Sequence, residues 1–390
     1  MVVVIDTMKS ILVLMHCESN TGYAIGPLEE TFFRMALSIC EEDTSRIHFA
    51  YPSMRKGSSK WLPAGFGQYL VVDATSTDIG ECRRARAYIQ DNDIDTIFGF
   101  DQPVNRPIFK HFRQAGVKSF ISYWGAPMSS KFGALRRTLK RVDVLVHRNG
   151  PDHYIFESRG MAELAILGRG IPRGRTSVVH LGVDTARFSP DSADAAFVYD
   201  ALGIPVRRRT FYYAGHFEPR KGVSVIMRAA NRLAASRVQD DWQIVLFGNQ
   251  PGEEVRYEGM LSAEARTHVV FGGYRDDLHR IQRGCYAAVI ASTGWDSFPR
   301  SAMEMQASGL PLLASALPGL EESVENGHTG FLFEPNDDAA LAELMSRLLD
   351  DPGLRERLSL QARNRIVEQF SLSSQLTSLV SVMRKVTGAG

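Results

Sequence analysis

The stretch "GWDSFPRSAMEMQASGLPLLAS", Gly294–Ser315, sets two carboxylates, Asp296 and Glu304, eight residues apart around Pro299 and ahead of an apolar run. It follows Ala287–Ala291, which reads as a buried strand, so Asp296 falls in a strand-to-helix loop. Pro299 suits the first helical position, and Gly309 followed by Pro311 marks the helix end. The unpaired N–H groups near Phe298–Ser301, with the positive end of the helix dipole, form an anion site suited to a phosphate. Helical side chains lean toward the N-terminus, so Glu304 looks back at the same ligand while Asp296 reaches it from the loop. A plainer account makes Asp296 a cap and Glu304 a solvated helix residue. Met303 and Met305 flank Glu304, however, and on a helix buried on two sides the carboxylate needs a partner.

Outward from this block the chain alternates short β-branched runs with amphipathic segments, the pattern of parallel strands joined by crossover helices. Before it, strands are expected at Ile11–His16, Ile47–Tyr51, Tyr69–Asp73, Thr96–Phe100, Val117–Tyr123, Tyr154–Phe156 and Val178–Leu181. Pro27 is expected to open a helix with Glu29 and Glu30 in its first turn, and Asp78 to cap the next. The polar, alanine-rich Ser189–Asp200 reads as an interdomain linker. A second series follows at Phe211–Ala214, Ile244–Phe247, Val269–Phe271, Ala287–Ala291 and Leu312–Ala314. After Phe331–Phe333, helices are expected near 339–349, 354–369 and 373–386. The expectation is an α/β chain of two Rossmann-like domains, residues 1–188 and 189–370, facing across a cleft, with a C-terminal helix in 371–390 crossing back to the first. Ligands of open parallel sheets bind beyond the carboxyl ends of the strands, so functional residues belong in the strand-to-helix loops.

Composition is ordinary for a globular chain of 390 residues, with 44% hydrophobic and 23% charged residues. A formal net charge of +1 gives no global argument for a nucleic-acid partner. Cys17, Cys40, Cys82 and Cys285 are far apart in the sequence, show neither C-x-x-C nor metal-ligand spacing, and fit reduced core thiols of a cytoplasmic protein. The start "MVVVIDTM" lacks a basic region before its apolar residues, and no run reaches the roughly 20 apolar residues a spanning helix needs. "KFGALRRTLKR", Lys131–Arg141, carries five basic residues with Phe132, Leu135 and Leu139 on one helical face. That pattern suits peripheral contact with an anionic membrane, or a helix packed on its own domain with solvated charges.

The block around Asp296 and Glu304 resembles the glycosyltransferase family 4 type of retaining, nucleotide-sugar-dependent enzymes of GT-B fold. Their hallmark is an acid, seven residues, a second acid, an apolar helix and a segment similar to "GLPLLAS". Further matching segments follow the family's order: "LGVDTARF" (181–188), "AGHFEPRKGV" (214–223), "VLFGNQPGEE" (245–254), "VVFGGYRDDL" (269–278) and "ENGHTGFLFEPND" (325–337). The N-terminal half matches in layout only. The resemblance implies that Glu304 binds the nucleotide ribose, Asp296 the hydroxyls of the transferred sugar, and Lys221 the diphosphate. It extends the donor side to Gly215, Arg220, Gly248, Asn249, Tyr274, Ser297, Phe298, Pro299 and Arg300, with His216 beside the diphosphate. A cation with a helix N-terminus stabilises a diphosphate leaving group without a metal, so no metal and no cofactor beyond the donor, UDP-linked by family preference, is expected.

Three features depart from the pattern. Asp296 replaces the family's usual Glu, one methylene shorter. His216 stands where Arg is usual, so phosphate stabilisation is weakened, shared with Arg220 or made pH-dependent; a core or loop-stabilising role for His216 is the alternative. Where many relatives carry a histidine beside the reacting centre, this chain has Trp124, which either stacks on a sugar or fills the cleft wall. In "HCESNTGYAIGPLEE" after the first strand, Gly22, Tyr23 and Ile25 are assigned to the acceptor side, a plain turn being the alternative, with Gly22 and Gly26 allowing close backbone approach.

The expected function is retaining transfer of a hexose-type unit to a glycan, lipid-linked or small-molecule acceptor. A sugar-nucleotide epimerase, a glycoside phosphorylase and a catalytically silent nucleotide-sugar-binding subunit are the alternatives.

Overall fold

The computed structural model describes residues 9–129 and 134–388, and of Tyr23, Ala24, Ala134, Leu135 and Arg137 the backbone alone. The apolar start "MVVVIDTM", the side chain of Tyr23, and Lys131, Phe132 and the Leu135 side chain therefore lie outside the described residues. The chain divides into two units, Met1–His180 with Ser373–Gly390, and Leu181–Leu372.

The first unit holds seven strands: β1 (Ser10–Leu14), β2 (Ile47–Tyr51), β3 (Tyr69–Val71), β4 (Ile94–Phe100), β5 (Ser119–Trp124), β6 (His153–Phe156) and β7 (Thr176–Val178). They pair in parallel in the order β3-β2-β1-β4-β5-β6-β7. β1, β2 and β4 are buried along their whole length, as expected of strands covered by helices on both faces, which is why they read as unbroken apolar runs.

The second unit holds β8 (Arg209–Ala214), β9 (Trp242–Phe247), β10 (Val269–Phe271), β11 (Ala287–Ile290), β12 (Leu312–Ser315) and β13 (Gly330–Phe333), in the order β10-β9-β8-β11-β12-β13, again parallel. Its helix Val223–Ser236 buries Val223, Ile226, Met227, Ala230 and Leu233, a helical stripe that joins one core with Leu341, Met345 and Leu348 of the helix Asp338–Asp350. Apart from Ala230, each of these side chains contributes about 1.5–3 kcal/mol on burial. Both units are thus Rossmann-like parallel sheets with crossover helices.

In each sheet the chain departs in opposite directions from a central pair, β1 and β4 in one unit and β8 and β11 in the other. These are the topological switch points, where the loops splay apart and leave a crevice at the strands' carboxyl ends.

Three local expectations are corrected. The helix expected to open at Pro27 runs Gly22–Ile39, with Pro27 inside it and one turn from its start, where a single backbone bond is lost. Glu29 and Glu30 consequently lie beyond the first turn, and Glu29 is fully buried and accepts from Ser59 Oγ. Ser189–Asp200 is no linker: it contains the 3₁₀ turn Ser192–Asp194 and enters the helix Phe197–Leu202, and Asp194 accepts from Arg280 Nη2 at 2.8 Å and Arg283 Nη1 at 2.6 Å. The units divide at His180/Leu181, because Val183 bridges Ser371 and Arg363 donates to the carbonyls of Thr185 and Phe188. The cap expected at Asp78 is present, its side chain accepting from Glu81 N at 2.7 Å.

Candidate functional site

The switch point of the second unit gathers two loops. One leaves β8 and carries His216 to Lys221. The other leaves β11 and carries Ser292 to Pro299. Thr293 N donates to Arg220 O at 2.7 Å and ties them together. Lys221 closes a 3₁₀ turn, Pro219–Lys221, and Gly222 follows at φ +72°, where a Cβ would overlap the Ala291 carbonyl. Only glycine lets the turn lie this close to the end of β11, and that contact brings the charged groups together.

Lys221 Nζ donates to Asp296 Oδ1 at 2.8 Å, and Ser292 Oγ donates to Asp296 Oδ2 at 2.6 Å. The Asp296 side chain is 4% exposed and that of Lys221 19%. An ion pair this buried persists because each charge answers the other and the hydroxyl satisfies the second carboxylate oxygen. Asp296 is not a cap: the helix Arg300–Ala307 is preceded by Pro299 in extended conformation, one position before its expected place, with no side-chain cap bond. Glu304, expected on the plainer account to be solvated, is buried at 7% exposure in the second turn.

The other donor-side residues separate into two groups. Gly215 and Gly248 pack backbone to backbone at the ends of β8 and β9, Gly248 holding φ +103° with no room for a Cβ against the Gly215 carbonyl. Asn249 is a clamp, donating to Glu254 Oε2 at 2.9 Å and accepting from Gly273 N at 3.0 Å. Phe298 is fully buried with its ring 5.5 Å from that of Phe370, so its side chain serves the core. In contrast, His216 is exposed, which excludes the core role, and lines a hollow of about 430 Å³ with Gly248, Gln250, Glu253 and Arg256. Tyr274 is exposed, Ser297 is half-buried, and Arg300 keeps Nη2 buried without a hydrogen-bond partner among the described residues. Arg220 is engaged by Glu218 at 2.8 Å and lies 4.2 Å over the ring of Trp295, an aromatic neighbour the sequence reading did not mark. Ser292 was also missed, since a serine at a strand end carries no pattern of its own.

In the first unit Gly22 stands at φ +61° with open space where a Cβ would be, and Ile25 is half-buried. Gly26, by contrast, packs against the Trp61 ring, so its small size serves protein packing rather than a ligand. Trp124 ends β5 with its ring against the Val104 and Val144 cluster, and its Nε1 is buried without a partner among the described residues. The switch point of this unit holds a pair absent from the expected site: His16 Nδ1 lies 3.7 Å from Asp101 Oδ2. No group of three or more His, Cys, Asp or Glu side chains suited to a metal occurs among the described residues.

Comparison with known proteins follows the same division. Residues 197–365 match the family of glycosyl transferases group 1. The D-inositol 3-phosphate glycosyltransferase of Salinispora arenicola is 32% identical over 228 residues, 55% of this chain and 50% of that protein. The one of Mycobacterium tuberculosis is 29% identical over 245 residues, 61% of this chain and 49% of that protein. The chain spans about half the length of the curated relatives it matches. Among solved structures, a glycosyltransferase from Rickettsia africae shares the fold with a TM-score of 0.78 at 14% identity, covering 97% of this chain and 99% of that one. Anabaena Alr3699/HepE in complex with UDP does so with a TM-score of 0.76 at 17% identity, covering 96% and 100%. The chain therefore has the GT-B fold of two Rossmann-like domains, and its residues 197–365 match the glycosyl transferases of group 1.

Proposed function

We propose that the protein is a glycosyltransferase that moves a sugar from a nucleoside diphosphate sugar, UDP-linked, to a hydroxylated acceptor, with retention at the anomeric carbon and without a metal. The observation that carries this reading is the Lys221–Asp296 pair at the second switch point, at the head of the helix that holds the buried Glu304. Breaking a glycosyl–phosphate bond leaves charge on the diphosphate. Lys221 and the first-turn amides of the helix Arg300–Ala307 meet that charge in a place largely shielded from water. Asp296, held by Ser292, then accepts from sugar hydroxyls, and Glu304 from the ribose. The HepE structures with UDP and with UDP-glucose support a uridine nucleotide as the donor's carrier. The relatives, which by name act on D-inositol 3-phosphate, support a small polyhydroxylated acceptor alongside glycan and lipid-linked ones.

Screening UDP- and GDP-sugars for nucleotide release in excess EDTA tests this: release from a UDP-sugar is expected, and a Mg²⁺-restorable loss in EDTA would exclude the metal-free route. Replacing Glu304 by Gln removes a charge-assisted ribose contact and is expected to weaken UDP binding by about 1.5–3 kcal/mol in calorimetry. An unchanged affinity would remove Glu304 from the donor site.

Peripheral membrane contact belongs to the same proposal. The helix Ala134–Val146 packs inward through Val144, while Leu139, Val142 and Val146 stand exposed at helical spacing near the exposed Arg136 and Arg141. An apolar stripe beside cations suits an anionic bilayer surface. No helix among the described residues is long and apolar enough to cross a membrane. Co-flotation with phosphatidylglycerol liposomes at low salt is expected, and Leu139→Glu should reduce it severalfold; absence of flotation would retire membrane contact.

A further inference from the structure

Arg220 stands directly before Lys221 in the loop after β8, and the two residues engage different parts of the loop after β11. Lys221 takes the Asp296 carboxylate. Arg220 touches each of the three residues that precede it. Its carbonyl accepts from Thr293 N at 2.7 Å. Its stem packs on Gly294, where a Cβ would come within 3.1 Å of Arg220 Cβ, and its Nη1 donates to Trp295 O at 3.2 Å.

The guanidinium is engaged on further sides as well. Nε faces Glu218 Oε2 at 2.8 Å, and Cζ lies 4.2 Å from the centre of the Trp295 ring. A guanidinium offers its N–H groups in one rigid plane, so holding it at Nε, at Nη1 and across its face fixes its orientation. Lys221 differs: one of its three N–H groups meets Asp296, and two are left for a ligand. Trp295 is 48% exposed, so the core does little to fix it, and the stack on Arg220 supplies that hold. Its backbone leads straight into Asp296, whose side chain is 4% exposed.

We propose that Arg220 is a positioning residue acting through Trp295: the stack, pinned by Glu218, sets the path of residues 293–295 so that Asp296 enters the site in register with Lys221. This rests on the transferase reading above and gives Arg220 a role other than the phosphate contact expected from the sequence. Arg220 touches neither sugar nor diphosphate. A misplacement of about 1 Å imposed from outside the reacting groups costs about a hundredfold in rate, which sets the scale of the effect. The affinity for the nucleotide, held by other groups, is left almost unchanged.

The test uses the full chain. Arg220→Ala is expected to lower kcat for donor turnover by about tenfold or more, with the KM for the donor and the affinities for UDP and uridine within about twofold of the parent. Trp295→Ala should do the same, and the double variant should be no slower than either single one, because all three remove one contact. Trp295→Phe, which keeps a ring under the guanidinium, should retain most of the rate. Arg220→Gln keeps the stem and removes the charge, and takes the place of Arg220→Ala if that variant does not fold. Acrylamide quenching of tryptophan fluorescence gives a readout free of turnover: Arg220→Gln should uncover Trp295 and raise the quenching, and the rise should vanish in a Trp295→Phe background.

A loss of UDP affinity with uridine affinity unchanged would make Arg220 a phosphate ligand and overturn the proposal. Parental kcat in the Arg220 variants, rate losses that multiply in the double variant, or quenching unaltered by Arg220→Gln would overturn it equally. A parent that neither binds UDP nor turns over any donor overturns the transferase reading and the catalytic role together, while the quenching result still decides whether Arg220 holds Trp295.

Discussion

Lys221→Ala is expected to lower the stability of the protein by about 3 kcal/mol at neutral pH and its transfer rate by about a hundredfold or more. The two losses have one origin. Removing the ammonium group leaves the Asp296 carboxylate, 4% exposed, with the Ser292 hydroxyl as its remaining partner among the bonds described above. A buried charge deprived of its partner costs more than the pair contributes, because desolvation is no longer answered. Lys221→Ala combined with Asp296→Ala should therefore be more stable than Lys221→Ala alone, while transfer remains lost. Urea denaturation of the three proteins reads the first effect, and nucleotide release the second. Equal stability of the single and double variants would show that the pair is not electrostatically coupled.

Gly222→Ala should be at least as damaging, at about 3 kcal/mol or more, although it adds one methyl group outside the charged pair. The position requires φ +72°, which disfavours any side chain, and the new Cβ would overlap the Ala291 carbonyl at the end of β11. Relief requires the turn Pro219–Lys221 to move away from β11, which separates Lys221 from Asp296. Chemical denaturation should show the loss of stability and calorimetry a parallel loss of UDP affinity. A variant with parental stability would contradict the close packing of the two loops.

The parts of this account legible in the sequence are those with a local cause. Parallel strands covered on both faces are continuous apolar runs, so β1, β9 and β11 stand out without any knowledge of their neighbours. The second domain's loops were legible for another reason, as Lys221, Asp296 and Glu304 lie in segments that resemble a known family. Pairings made only by topology were not legible. His16 and Asp101 are far apart in the chain, and nothing beside either marks it; they meet because β1 and β4 are adjacent in the sheet. His16 was moreover hidden at the end of an apolar run that reads as strand.

Misreadings of the helix at Gly22 and of Ser189–Asp200 have physical causes too. Pro27 lies inside the helix Gly22–Ile39 and gives up a backbone bond there, a cost the surrounding packing outweighs, so the proline does not mark the start. A polar, alanine-rich stretch resembles a linker until its acid is seen paired, as Asp194 is with Arg280 and Arg283.

The central claim is transfer from a nucleoside diphosphate sugar with retention at the anomeric carbon, and one measurement addresses it most directly. The protein is incubated in EDTA with UDP-α-sugars labelled with ¹³C at the anomeric carbon, and the anomeric signal of the first product, glycoside or hydrolysed sugar, is followed by NMR. The account predicts loss of the donor signal and an α product, both abolished in Lys221→Ala; a β product, or donors left intact throughout, would contradict it.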